Sequence, residues 1–320
     1  MKAVVHDEYG SADVLGFEDV ERPEAGAGEV RVRVRAAGVD PSVWHLTRGL
    51  PYPVRAVSGL RRPKTRVPGL DLAGVVEAVG AGVTRLKVGD EVYGTCSGAF
   101  AEYAVGKEER FVAKPSTLTF EQAAVVPVSA CTALQALRGA GKVAAGQRVL
   151  VIGAGGGIGT YAVQLAKVFG ASVTGVCGTG KVELVRSLGA DDVVDYTREE
   201  FGGGYDLILD TAGNRPLHRL RQALTPKGTL VLVGGEGGGK AFQGIDRQLR
   251  ALLLSPFIGQ RLRSLFATQP TADLVLLADL VEAGKLRPVI DRTFPLSAAA
   301  DAVRYLELGH TAGKSVLTVP

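Results

Sequence analysis

The sequence predicts a two-domain α/β protein, a small β-rich half followed by a doubly wound parallel sheet flanked by helices. Three observations lead there. The 320 residues exceed the length at which one hydrophobic core usually stops growing. Up to about Pro115, short β-branched runs are separated by Gly, Pro and Asp, whereas beyond Arg148 strand-like runs alternate with Ala-rich helical periods. The 43 glycines are well above ordinary usage and ask for tight turns or close backbone approaches.

In the first half the strand candidates are Ala3–Val5, Val30–Val34, Gly74–Val79 and Asp90–Tyr93, which read as a small barrel or sandwich. The texture changes near Thr119. Strands are then predicted at Arg148–Ile152, Ser172–Cys177, Asp192–Asp195, Asp206–Asp210 and Thr229–Val233. Helices are predicted at Ile158–Phe169, Lys181–Leu188, Pro216–Leu224 and Thr271–Ala283. Five strands in βαβ order make half or more of a doubly wound sheet. The expected division is residues 1–118, completed by a returning tail 286–320, and residues 119–285.

Composition narrows the function classes. With 46% hydrophobic and 22% charged residues the chain is globular rather than disordered. A net charge of +4, spread along the chain, gives little support to nucleic-acid binding. Three widely spaced cysteines, Cys96, Cys131 and Cys177, suit reduced thiols, and no uncharged stretch is long enough to span a bilayer. A cytoplasmic location is expected.

The most informative stretch is Val149-Leu150-Val151-Ile152-Gly153-Ala154-Gly155-Gly156-Gly157-Ile158-Gly159, leading into the helix from Thr160. A buried strand running into glycines and then a helix lets the backbone approach a pyrophosphate and aim N–H groups at it. A dinucleotide site is therefore predicted, with Gly153, Ala154, Gly156, Gly157, Ile158 and Gly159 at its centre. An acidic residue about 20 residues further on would hold a ribose 2′-hydroxyl. Cys177 stands there instead, followed by Gly178, Thr179, Gly180 and Lys181. A hydroxyl, backbone amides and a cation favour a 2′-phosphate, hence NADP(H) over NAD. The alternative for Lys181 is a solvated first-turn residue.

The chain resembles the medium-chain dehydrogenase/reductase superfamily, in its zinc-free quinone oxidoreductase-like branch. The resemblance runs through Ala37–Pro41, Val67–Val76, Val88–Val92, Pro127–Ala133, the glycine turn with Ala162–Lys167 behind it, and Leu188–Asp191. It implies a GroES-like catalytic domain, a Rossmann cofactor domain, a cleft between them, and a homodimer pairing cofactor domains through Ser264–Ala267. It also implies that Lys181 and Tyr196 grip the 2′-phosphate end, that Gly213, Val233 and Gly234 meet the cofactor at strand ends, that Thr132 lies near the nicotinamide, and that Lys314 contacts the cofactor. Many relatives read Arg-Gly-Lys where this chain has Ala312-Gly313-Lys314, which removes one expected contact.

No metal is expected. Catalytic zinc needs three converging Cys, His or acidic ligands. Zinc-bearing members would carry Cys at Asp40, His at Leu70 and Cys near Val128, and leucine and valine ligate nothing. Hydride addition to an electrophilic acceptor does not require the metal, so quinones and enones are the expected substrates. Asp40, Trp44, His45 and Tyr52 are the acceptor-side candidates. Each has a plainer alternative: an Asx turn before Pro41, core packing for Trp44, a locally bonded imidazole, and packing of Tyr52 in a proline-rich loop. Arg247–Phe266 mixes leucines with arginines, and a membrane-surface helix competes there with burial against a partner, Pro256 and Gly259 interrupting its apolar face. Rival functions are a biosynthetic enoyl reductase, an alcohol or ketone reductase, and a cofactor-binding sensor or scaffold.

Overall fold

The computed structural model describes residues 1–234 and 244–320. Contacts divide them into two compact units, Met1–Cys131 with Gln269–Pro320, and Thr132–Thr268.

The first unit is built on the strand Glu29–Val39. Its first part alternates, with Val30, Val32 and Val34 buried and Arg31 and Arg33 facing outward, the period-two pattern of a half-covered sheet. Its last part, Ala36–Val39, is buried throughout. Each buried valine contributes on the order of 1.5–3 kcal/mol. Around it runs a seven-stranded sheet in the order Ile290–Pro295, Lys314–Thr318, Glu29–Val39, Asp71–Val79, Glu91–Thr95, Phe111–Ala113, with Tyr103–Lys107 also pairing to Glu29–Val39. The tail strand pairs antiparallel with the long strand, Ser315 opposite Val39, so the end of the chain returns to this unit.

Two segments pack with this unit although sequence texture places them in the other domain. Thr119 and Gln122 form a reciprocal capping box that starts the helix Phe120–Ala124, whose Ala123 and Ala124 are buried on the sheet. Gly38 is required there, because a Cβ would overlap the Ala124 carbonyl oxygen. The helix Thr271–Glu282 is held by the buried Tyr93 hydroxyl, which donates to the Leu274 carbonyl at 2.7 Å. Helical periodicity alone does not say which sheet a helix covers.

Among its described residues the second unit contains six parallel strands in the order Asp192–Asp195, Ser172–Cys177, Arg148–Ile152, Tyr205–Asp210, Leu224–Leu232, Arg261–Ser264. Numbered along the chain this is 3-2-1-4-5-6, the doubly wound arrangement. Leu150, Ile208 and Leu230 are buried without residual exposure, as expected of strands covered on both faces. The edge strand begins before the expected Ser264–Ala267 and ends at Ser264, because Leu262 is the side chain that reaches the core while Phe266 is exposed. The helix Ile245–Leu254 stops at Ser255, and Pro256 lies in a separate short turn.

Tyr93→Phe removes the only donor to a buried carbonyl from this ring while leaving the ring volume intact. We expect a loss of about 1–2 kcal/mol with an unchanged denaturant slope, read from equilibrium urea unfolding.

Candidate functional site

In an open α/β sheet ligands bind beyond the carboxyl ends of the strands, where the strand order reverses. Here the reversal falls between Arg148–Ile152 and Tyr205–Asp210. The first of these runs into Gly153, which has φ +82°. The Gly153 and Ala154 N–H groups both donate to the Val176 carbonyl at 3.0 Å. Thr211, just past the second strand, donates its hydroxyl to the Ile152 carbonyl at 2.8 Å and so ties the two strand ends together.

The glycines have separate jobs. A Cβ on Gly159 would overlap the Gly153 carbonyl, so only glycine lets the helix Gly157–Val168 sit this close to the turn. A Cβ on Gly155 would strike the Lys181 side chain, Cδ at 2.7 Å, so Lys181 lies along the turn. Gly156 caps the helix with no side chain, and Gly157 and the half-buried Ile158 open its first turn. Bare backbone at a helix N-terminus fits a pyrophosphate. Gly213, Val233 and Gly234 gather at the neighbouring strand end: Gly213 N–H donates to Asp210 Oδ1 at 3.0 Å, and the Val233 and Gly234 N–H groups donate to the Asp210 carbonyl at 3.0 and 3.1 Å.

The strand Ser172–Cys177 ends at the buried Cys177, whose thiol is pushed up to about 11 by burial and then by Asp195. Tyr196 is brought to it: its N–H donates to the Cys177 carbonyl at 3.1 Å, and a Cβ on Gly178 would stand 3.3 Å from its hydroxyl. The Tyr196 ring is half exposed and carries the Arg215 guanidinium 5.9 Å away. Thr179 behaves differently from the expectation that its hydroxyl is open to a ligand. It donates to Asp195 Oδ2 at 2.6 Å. Asp195 Oδ1 accepts from the Thr197 N–H and hydroxyl at 3.0 and 2.7 Å, and these bonds, Thr179 first, hold its carboxyl below the usual range. This carboxylate beside Cys177 was missed in the sequence, because it belongs to the third strand and reaches the second only through the register Asp195 opposite Cys177.

The four residues expected on the acceptor side, Asp40, Trp44, His45 and Tyr52, belong to the first unit. Asp40 is buried and caps the helix Pro41–Arg48, its Oδ1 accepting from the Ser42 N–H at 2.8 Å and from the Ser42 hydroxyl. The Asx-turn alternative before Pro41 is therefore met. Trp44 and His45 meet edge to face, centroids 4.8 Å apart, with Trp44 Nε1 donating to Glu307 and His45 Nδ1 bonded to the Leu50 carbonyl at 2.8 Å. Burial holds the His45 imidazole below its usual range. Tyr52 is exposed and stacks on Arg55 at 5.1 Å. Lys314, expected at the cofactor, is 3% exposed and faces Asp40 Oδ2 and Asp71 Oδ2, each at 3.6 Å. Thr132 is buried in the helix Pro127–Leu134. Asp71, Asp210 and its partner Arg247 were not singled out in the sequence. A charge inside an apolar run, as in Leu70-Asp71-Leu72 or Ile208-Leu209-Asp210, was the available signal.

Comparison with known proteins agrees with this geometry. Residues 26–116 match the model of an alcohol dehydrogenase GroES-like domain, and residues 188–317 that of a zinc-binding dehydrogenase. The chain is 34% identical to a quinone-oxidoreductase homolog of Spinacia oleracea, covering 99% of this chain and 98% of the relative. It is 35% identical to an NADPH-dependent alkenal/one oxidoreductase of Arabidopsis thaliana, covering 99% and 79%. The solved quinone oxidoreductase of Coxiella burnetii superposes with a TM-score of 0.86 at 28% identity, covering 100% and 99%. The chain therefore belongs to the medium-chain dehydrogenase/reductase superfamily, in its quinone oxidoreductase-like branch. It is a GroES-like unit plus a Rossmann unit of an NAD(P)H oxidoreductase family.

Gly159→Val forces the helix away from the glycine turn. We expect at least about a tenfold loss of NAD(P)H affinity by fluorescence titration, together with a lower melting temperature.

Proposed function

We propose that this chain is a zinc-independent, NADPH-dependent reductase of quinones or α,β-unsaturated carbonyl compounds, acting as a cytoplasmic homodimer. The observation that carries the reading is the glycine turn at the strand-order reversal, with Lys181 along it and Tyr196 against Gly178. The Rossmann backbone takes the pyrophosphate, and the Lys181 ammonium with the Tyr196 hydroxyl takes a 2′-phosphate. Asp195 does not oppose this, since both of its oxygens are turned to Thr179 and Thr197. The names of the Arabidopsis and Coxiella relatives point to the same acceptor classes.

Bound nicotinamide supplies the hydride. Independence from zinc is supported by the donor set: among the described residues no three His, Cys, Asp or Glu side chains converge, and Asp40 is already engaged by Ser42 and Lys314. Without a Lewis acid the acceptor must itself be electrophilic, as a quinone or enone is. A dimer is supported by the exposed Leu253, Phe257 and Phe266 beside the edge strand Arg261–Ser264. No helix among the described residues is long and apolar enough to cross a membrane.

The test is oxidation of NADPH against matched quinones, enones and saturated ketones, with and without a chelator. We expect turnover of the first two only, unaffected by the chelator. Equal rates on saturated ketones, or loss of activity with the chelator, would overturn the reading. Lys181→Ala should raise KM for NADPH by about tenfold, equivalent to about 1.4 kcal/mol, while KM for NADH changes little.

A further inference from the structure

Lys314, Asp40 and Asp71 are 3%, 1% and 0% exposed, and the Oδ2 atoms of both aspartates face the one Nζ at 3.6 Å. Among the described residues no hydrogen bond reaches any of these three atoms. A single ammonium balances a single carboxylate, and a second buried charge would stay uncompensated at a cost proteins avoid by protonation. Geometry distinguishes the two. Among the described residues Asp40 Oδ1 accepts an N–H and a hydroxyl from Ser42, whereas Asp71 Oδ1 accepts from the Val128 N–H, at 3.0 Å.

The cluster joins elements that carry the candidate site. Asp40 caps the helix bearing Trp44 and His45. Asp71 opens the strand Asp71–Val79 and holds the first turn of Pro127–Leu134, the helix that carries Thr132. Lys314 opens the tail strand paired to Glu29–Val39.

We propose that Lys314 with ionised Asp40 and neutral, protonated Asp71 forms one charge-balanced positioning unit that sets both helices, and that ionisation of Asp71 disrupts it. Burial pushes the Asp71 carboxyl up to about 8, opposed by Lys314 and reinforced by Asp40, the two charged groups that face it. Its register neighbour Thr95 and the Val128 N–H are neutral. The sign follows directly. The folded carboxyl stays protonated where the unfolded one, near 3.8, ionises, so unfolding releases a proton and stability falls as pH rises from about 4 to about 8.

Carbon-13 NMR of the aspartate carboxyls tests the proton without any substrate. We expect one carboxyl carbon to keep its protonated shift at neutral pH, to titrate in the alkaline range, and to vanish in D71N. No protonated aspartate at neutral pH, or its persistence in D71N, overturns the proposal. The turnover arm rests on the proposed reductase activity. D71N, an isostere of the neutral acid, should keep kcat within about threefold and lose the alkaline fall of the wild-type profile, whereas K314M should lose about tenfold or more in kcat with KM for NADPH little changed. D40N/K314M, which keeps the cap and leaves no unpaired charge, should recover most of that loss, and should fold even where K314M does not. D71N as impaired as K314M, or a double variant no better than K314M, contradicts the assignment. A wild-type protein that reduces no acceptor defeats the proposed function, and the carboxyl signal still decides this proposal.

Discussion

The second unit depends on one close approach of backbone to backbone, Gly159 against the Gly153 carbonyl. It sets how near the helix Gly157–Val168 lies to the strand Arg148–Ile152, and therefore where the helix N-terminus sits relative to the reversal in strand order. No other residue fits, because any Cβ displaces main chain rather than a movable side-chain tip. Thr211 and Asp210 extend the constraint to the next strand: one ties it to Ile152, the other holds the Gly213, Val233 and Gly234 N–H groups in place. The close packing leaves main chain, rather than side chains, at the surface of the turn, the kind of surface a pyrophosphate can approach.

The first unit is organised by buried charge. Its long strand ends in the buried apolar run Ala36–Val39 and then meets Asp40, which with Asp71 and Lys314 puts three ionisable groups in a mostly apolar interior. Such clusters are weak stabilisers, since desolvation offsets most of the attraction. Their structural value is directional. Each aspartate spends one oxygen on a backbone N–H and turns the other toward the lysine, so the cluster fixes orientation where apolar packing alone would tolerate sliding.

Much of this was legible in the sequence because the signals were local. The strand Arg148–Ile152, the glycines after it and the helix behind them are contiguous, and their spacing reports a geometry only a few residues across. Tyr196 entered through family resemblance, and the register Asp195 opposite Cys177 brings it against Gly178. That same register hid Asp195, since strand pairing leaves no mark in a run read one residue at a time. The nearness of Lys314 to Asp40 was hidden for a similar reason, since it is set by the tail strand's register on Glu29–Val39, a long-range pairing that periodicity does not encode. The helix Thr271–Glu282 shows its length in sequence but not its sheet, which a single Tyr93 hydroxyl bond marks.

At the strand-order reversal, Lys181 and Tyr196 are proposed to read a 2′-phosphate. Calorimetric titration of the protein with 2′-phospho-ADP-ribose and with ADP-ribose isolates that contact from hydride chemistry and from the acceptor. The account predicts that the phosphorylated ligand binds at least about tenfold tighter, about 1.4 kcal/mol or more, with an advantage that shrinks as salt is raised. Equal affinity for the two ligands would contradict it.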